Sequence, residues 1–417
     1  MKAEATEQVK RLRHHPSLAI WCGNNEVAKA WQAWGWQEIY NLHGQDSARV
    51  AEAASDIFDG LLSEVVNEHS AVFYLPTSPT LEKDGGDAHA WGIWFGKEPW
   101  DYYSQHEGRF ASEYGLQSLP HLATLQEAGI GTFKDEALQF RQRSKMDWLE
   151  PGFDGWDMMR HYMSTTVGTP AQDSLETWIV QSQMAQAEGL RQALERHRTS
   201  LGRYAGSLYW SMNDVWPAVS WSTVDHAGRW KLGHHAAKRA NAPHTVLWER
   251  ASEDSLRLQV FNDHPSPVSG HLAVHCMRLD GVMLKDTTVA WVCPAHGLTR
   301  LNLGPMDVWR KTPEGSYLAW QWTDAAHPGD TLRKSALWKD AVEVNLPASN
   351  IDVSVSGNNL KIVSTGYVPM AWVGCNVIGR FSDNGMPLEP GVPVHIEFNS
   401  EVDQAEPRTF RLHGPGQ

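Results

Sequence analysis

A change of period constrains this chain more than any other feature. Up to about residue 243, apolar residues recur at helical spacing between short apolar runs; beyond Pro243 they alternate with polar residues. One core cannot serve both patterns. Repeated helix and strand units bury a parallel sheet on both faces, whereas period-two strands half-bury an antiparallel one. The 417 residues suffice for two or three domains.

In the first part, residues 4–13 read as a helix ending before Pro16, and Leu18 to Cys22 as a short strand buried on both faces. Ile57, Phe58, Leu61, Leu62 and Val65 predict a helix, Val72 to Leu75 a strand, and Pro76-Thr77-Ser78-Pro79 its stop. An amphipathic stretch from Ser174 to about Arg198 carries Leu175, Trp178, Ile179, Leu190 and Leu194, and precedes the strand-like Ser207 to Trp210. The expectation is a parallel α/β architecture over residues 1–243.

In the second part, Leu256, Leu258 and Val260 alternate before a turn at Asn262 to Pro265, and Leu272, Val274 and Cys276 follow. A similar unit starts near residue 343, with Ile351, Val353 and Val355, a turn at Gly357-Asn358-Asn359, then Leu360 and Ile362, and later Val394, Ile396 and Phe398. Two small β-sandwiches are expected, over 244–342 and 343–417.

Composition excludes several classes. A net charge of -13 with no basic cluster argues against nucleic acid. No apolar run approaches the roughly 18 residues a membrane span needs, and MKAEATEQVKR has no apolar signal core, so a soluble, cytoplasmic chain is expected. The four cysteines form no CxxC pair, so neither a disulfide framework nor a metal site is expected. The 21 tryptophans are about three to four times an average share and suit both cores and sugar-stacking faces.

The run HHPSLAIWCGNNEV ends an apolar stretch on Glu26, beside Asn25. This carboxylate reads equally as a helix N-cap or as a reactive group at the carboxyl end of a parallel strand. A second strand-end carboxylate, Glu113, lies in RFASEYGLQSLP, with Arg109 and Tyr114 close enough in sequence to hold it ionised. Glycoside hydrolysis needs such a pair, one acid for the leaving oxygen and one carboxylate for the anomeric carbon.

RLRHHPSLAIWCGNNE, GDAHAWGIWFG, RFASEYGLQSLP and GSLYWSMNDVWPAVSWSTVDHAGRWK together resemble the β-mannosidases of glycoside hydrolase family 2. The Asn-Glu pair is shared with that family's wider clan of retaining glycosidases, while Ser-Glu-Tyr-Gly-x-Gln-Ser-x-Pro is narrower. The resemblance implies multidomain α/β plus all-β architecture: part of a (β/α)8 TIM barrel followed by two Ig-like β-sandwiches. Glu26 becomes the general acid/base at the end of barrel strand four, protonated until it donates. Glu113 becomes the nucleophile at the end of strand seven, and Asn25 the partner of the sugar 2-hydroxyl. Trp91, Trp94 and Trp210 match positions that wall the sugar pocket, and Trp210-Ser211 is the expected cis bond. His89, Tyr114, Asn213 and Asp214 stand behind the site, and no cofactor or metal is implied.

GRFSDNGMPLEPG resembles the last Ig-like domain of the same family. The implied activity is release of terminal non-reducing β-D-mannose from oligosaccharides or glycans by double displacement. The alternatives are another exo-β-glycosidase of family 2, or an inactive carbohydrate-binding or structural remnant. Complete members begin with a jelly-roll domain, an Ig-like domain and the first barrel strands, which precede the strand assigned here as the fourth. An open half-barrel with exposed edges is therefore expected, and as partner either the missing amino-terminal half or a second copy.

Overall fold

The computed structural model describes residues 1–80, 86–105, 108–170, 174–250, 252, 254–310, 312, 314–324, 331–400 and 410–413. The chain forms two compact units. The first comprises Met1–Ala90, Gln105–Tyr114 and Gly202–Leu208, and the second Trp91–Ser104, Gly115–Leu201 and Tyr209–Gln417.

The first unit is built from short parallel strands and helices. Strand β1 (Trp21–Cys22) pairs with β2 (Tyr74–Leu75). Strand β3 (Asp87–His89) pairs with β4 (Phe110–Glu113), which pairs in turn with β5 (Gly206–Ser207). Helix Lys2–Leu12 lies where expected. The predicted single helix through Leu61 is instead Gly44–Ser55, a π turn over Asp56–Leu61, and Leu62–His69. The Phe58 carbonyl in that π turn accepts the Tyr74 hydroxyl at 2.6 Å, an outside partner of the kind that such a widened turn leaves room for.

The strand expected to be buried on both faces at Leu18–Cys22 shrinks to two residues, with Ile20 44% exposed. β1 has one pairing partner among the described residues, so half its ladder carries no strand. Phe73 and Leu208, at 66% and 55%, are also open.

In the second unit, helix Leu175–Thr199 carries Glu176 in its first turn and Arg196, His197 and Arg198 in its last, charges that suit its dipole. Helix Gly155–Thr166 starts with a capping box between Asp154 and Asp157. The change of period falls between helix Leu232–Ala240 and strand β6 (His244–Trp248).

Among the described residues the later strands pair antiparallel. Strands β7 (Ser255–Asn262), β8 (Val268–Arg278), β9 (Met283–Cys293), β10 (Gly297–Pro305), β11 (Ser316–Asp324) and β12 (Thr331–Leu337) join β6 in two sheets, β10-β7-β6 and β12-β11-β8-β9. Side chains from both sheets share one core, including Leu258, Val260, Val274, Trp291 and Trp320. Strands β13 (Ile351–Ser356), β14 (Asn359–Ser364), β15 (Val368–Cys375), β16 (Gly379–Phe381), β17 (Met386–Leu388), β18 (Val394–Ser400) and β19 (Phe410–His413) form a further pair, β13-β14-β18-β16 and β17-β15-β19. Leu360, Ile362, Val373, Leu388, Ile396 and Phe398 fill the space within it. Residues 401–409 and 414–417 of the expected last domain lie outside the described residues. Among the described residues no helix is long and apolar enough to cross a membrane.

Candidate active site

The local chain around Glu26 decides between its two readings. Glu26 occupies the N-cap position of helix Val27–Ala33, yet its side chain makes no capping bond. Asn24 takes over that work: its Oδ1 accepts from Val27 N at 3.1 Å and from Thr77 Oγ1 at 2.9 Å, and its Nδ2 donates to the Pro76 carbonyl at 2.9 Å. Gly23 passes so close to Tyr74 and Pro76 that a β-carbon there would collide with both. Glu26 itself has φ 62, a left-handed conformation costing a non-glycine residue about 1–2 kcal/mol. Its amide is tied to the Ser78 carbonyl at 2.7 Å, which helps to hold that conformation. The carboxylate is thereby left free of local duty.

Glu113 reaches the same place through a register shift. Ala88 pairs with Ala111, but His89 pairs with Glu113, so Ser112 is an extra residue in β4. Without that bulge His89 would stand opposite Ser112, and Glu113 would turn to the other face of the sheet. With it, His89 Nδ1 lies 2.6 Å from Glu26 Oε1 and 3.4 Å from Glu113 Oε2. One oxygen from each glutamate and this nitrogen all fall within 4.8 Å of one another.

A relay fixes the imidazole. Ser78 Oγ donates its single proton to Asp87 Oδ2 at 2.6 Å, so the 2.9 Å contact with His89 Nε2 requires that nitrogen to be the donor. In the neutral ring the Nδ1 lone pair then points at the two glutamates. A contact of 2.6 Å between Nδ1 and Glu26 Oε1 holds one proton, lent either by the carboxylic acid or by the imidazolium. The His89 side chain is 4% exposed and those of Glu26 and Glu113 are 20% and 13%, so the carboxylates face an opening while the ring is enclosed.

Several expected neighbours fall elsewhere. Arg109 is exposed and forms no ion pair with Glu113 among the described residues. At about 3.3 Å per extended residue the two Cα atoms stand about 13 Å apart, beyond the arginine's reach. The Tyr114 side chain is buried and its hydroxyl meets Ser207 Oγ at 2.7 Å. Asn25 is exposed, and among the described residues its side chain has no hydrogen-bond partner. His89, expected only behind the site, is its centre. Ser78 and Asp87 were missed, because the Pro76–Pro79 run reads simply as the end of a strand.

The three tryptophans belong to the second unit. Trp94 is a correction: it is fully buried, with Nε1 donating to Ser144 Oγ at 3.4 Å and its ring against Trp221, so no face is open to a sugar. Trp91 packs edge-on against Phe95 and Trp221. Trp210 is 47% exposed and its bond to Ser211 is cis. Asp214 closes its own loop by accepting from Ser220 and Ser222, and Asn213 bridges to Val224.

The residues after Glu113 that narrow the resemblance are spent on packing. Gln117 accepts from Gln142 Nε2 at 2.7 Å, and Ser118 Oγ donates to Gln186 Oε1 at 3.0 Å. Gln183 and Gln186, on helix Leu175–Thr199, also grip the main chain of this segment at Leu119 and Leu116. Lys231, fully buried, donates to the Ser118 carbonyl and hydroxyl, and burial pushes its ammonium down to about 8.

Folding gathers Glu26, His89 and Glu113, residues far apart in the chain, around one point.

A family model described as an Ig-fold domain, Ig_mannosidase, matches residues 342–411. The chain is 26% identical over 393 residues to beta-mannosidase B of Aspergillus clavatus, covering 87% of this chain and 44% of that protein. It is 33% identical over 260 residues to beta-mannosidase B of Thermothelomyces thermophilus, covering 59% of this chain and 30% of the relative. The chain thus spans less than half the length of these curated relatives. Among solved structures it matches a beta-D-mannosidase from Dictyoglomus thermophilum, with a TM-score of 0.80 at 23% identity, over 99% of this chain and 50% of that one. It also matches an exo-chitosanase from Amycolatopsis orientalis, with a TM-score of 0.63 at 14% identity, over 99% of this chain and 52% of that one.

Proposed function

We propose that this chain, which is related to the β-mannosidases of glycoside hydrolase family 2, carries the acid/base and the nucleophile of a retaining exo-β-mannosidase acting on terminal β-D-mannose. The observation that carries the reading is the approach of Glu26 and Glu113 to within 4.8 Å, oxygen to oxygen, around His89. Retention calls for carboxyl groups about 5–5.5 Å apart and inversion for roughly 6.5 Å or more, and the close approach of one oxygen from each glutamate supports the former.

Glu113 attacks the anomeric carbon while Glu26 gives the proton it shares with His89 to the leaving oxygen. Water then enters, Glu26 takes its proton, and the bond to Glu113 breaks. Asn25, exposed beside Glu26, is assigned to the sugar 2-hydroxyl. The short parallel strands are read as strands of a (β/α)8 barrel over residues 1–243, followed by Ig-like sandwiches at 244–342 and 343–417. The open residues Ile20, Phe73 and Leu208 favour association, with a second copy or with an amino-terminal half.

A second reading, another exo-β-glycosidase of the same family, is favoured by the burial of Gln117 and Ser118, since residues enclosed in packing do not read a sugar hydroxyl. Release of p-nitrophenol from p-nitrophenyl β-D-mannoside, beside other aryl glycosides, separates the two. The purified chain should prefer the mannoside, and Glu113→Ala should lower turnover by about 1000-fold or more. Turnover untouched by Glu113→Ala would sink the proposal. A folded chain without turnover on any glycoside would fit a piece whose activity needs the rest of the enzyme, as well as an inert remnant.

A further inference from the structure

We propose that Glu26, His89 and Glu113 also form a site for a borderline divalent cation, Zn2+ above all, that would occupy acid/base and nucleophile together. Three segments of the chain supply one nitrogen and two carboxylate oxygens, all within 4.8 Å of one another. The ring is already set as a ligand: Nε2 donates to Ser78, itself anchored on Asp87, so the Nδ1 lone pair faces the carboxylates. Partners of this kind behind a metal-binding histidine orient the ring and make it more basic.

Distances favour a small ion. Zinc bonds of about 2.0–2.2 Å in tetrahedral array place donor atoms about 3.3–3.6 Å apart. His89 Nδ1 and Glu113 Oε2 stand at 3.4 Å without adjustment, while the two glutamate oxygens, within 4.8 Å of one another, have to come to the same spacing as the ion binds. The Glu26 contact, at 2.6 Å, has to open by about 0.7 Å to admit the ion. Two carboxylates and a neutral imidazole then balance the charge of one divalent ion, with the fourth position left to water. An imidazole nitrogen in the set selects Zn2+ over the oxygen-seeking Mg2+ and Ca2+.

The inference stands on donor geometry and is tested by binding, so it fails or survives independently of the hydrolase reading. Co2+ serves as the spectroscopic probe, with Zn2+ titrated in to displace it, on the full chain. One equivalent should give the visible absorption of four- or five-coordinate Co2+, lost on adding Zn2+ and not on adding Mg2+. Glu26→Gln and Glu113→Gln should each weaken binding at least about 10-fold, and Ser78→Ala, which keeps all three donors, by about 10- to 100-fold. Circular dichroism identifies any variant that fails to fold, and the others then carry the test. No such band at millimolar Co2+, or affinity unchanged in the folded variants, would overturn the proposal, the latter by placing the metal on other histidines.

Discussion

The two units hold their residues by different means. In the first, the apolar cluster among the described residues is small, Val9, Val65 and Val66 with Ala5, Trp21 and Tyr74 against them. In the second, one sandwich core alone buries six tryptophans, and a separate core fills the following pair of sheets. The candidate glutamates lie in the first unit, where position is set mainly by polar bonds and register: the Glu26 amide on Ser78, Asn24 across the loop, the bulge at Ser112, and the Asp87-Ser78-His89 relay. Apolar burial is non-directional and supplies stability; hydrogen bonds are directional and place a charge. The candidate groups therefore stand where directional bonds dominate.

The largest effect expected from this contrast is in the second unit. Trp320 is 4% exposed and its indole N–H donates to the Val246 carbonyl at 3.0 Å, so Trp320→Ala should cost about 3–5 kcal/mol through lost contacts and a cavity. Val65→Ala, in the small cluster of the first unit, should cost about 2 kcal/mol. Hydrogen exchange resolved by segment measures both. Equal losses would break the contrast, because the first unit would then draw as much on burial as the second.

Acid should narrow the gap. His235 is 2% exposed, and burial, aided by Arg239, His234, Lys238 and His121, pushes its imidazole down to about 3. Asp383 stands 3.7 Å away but is already paired with Arg239, so it offers little relief. In the unfolded chain the ring takes its proton near pH 6.5, while the folded chain refuses it until about pH 3. Between those values the unfolded form binds more protons, so stability falls as pH falls from 6.5 and levels off below 3. His121, held down chiefly by burial, acts in the same direction. The second unit should lose a few kcal/mol over that window. Thermal melting of its segments against pH checks this, and His235→Gln should flatten the dependence; an unchanged slope would remove His235 as its source.

What could be read from the chain depended on the range of the cause. The period-two strands appear close to expectation, Ser255–Asn262, Val268–Arg278 and Ile351–Ser356 among them, because alternation is local and the sheets satisfy it. The helix from Ser174 was placed to within a residue. The short parallel strands were overestimated, since strand length there depends on having a neighbour on each side. Glu26 and Glu113 were named from their strand-end positions and the resemblance, but their meeting around His89 was not visible: it requires an unpatterned bulge at Ser112 and a serine in a loop marked mainly by its prolines. Trp94 was misjudged for a like reason, because an indole reads the same whether its face is covered or open.

The smallest effect expected separates two adjacent asparagines. Asn24 makes three hydrogen bonds that close the loop before helix Val27–Ala33, one of them to the first amide of that helix. Its replacement by alanine should cost about 1 kcal/mol, as loss of a capping side chain does, and the loss should be local. Amides of Val27–Ala33 should exchange faster while those of the sandwich strands stay unchanged. Asn25, exposed and unpartnered among the described residues, should tolerate alanine within about 0.5 kcal/mol. If Asn25→Ala instead destabilised the loop as much as Asn24→Ala, its side chain would be structural and its assignment to a sugar hydroxyl would fall. If only Asn24→Ala loosened the helix, the polar frame would be shown to hold Glu26 in its left-handed conformation, with Asn25 left free to meet a ligand.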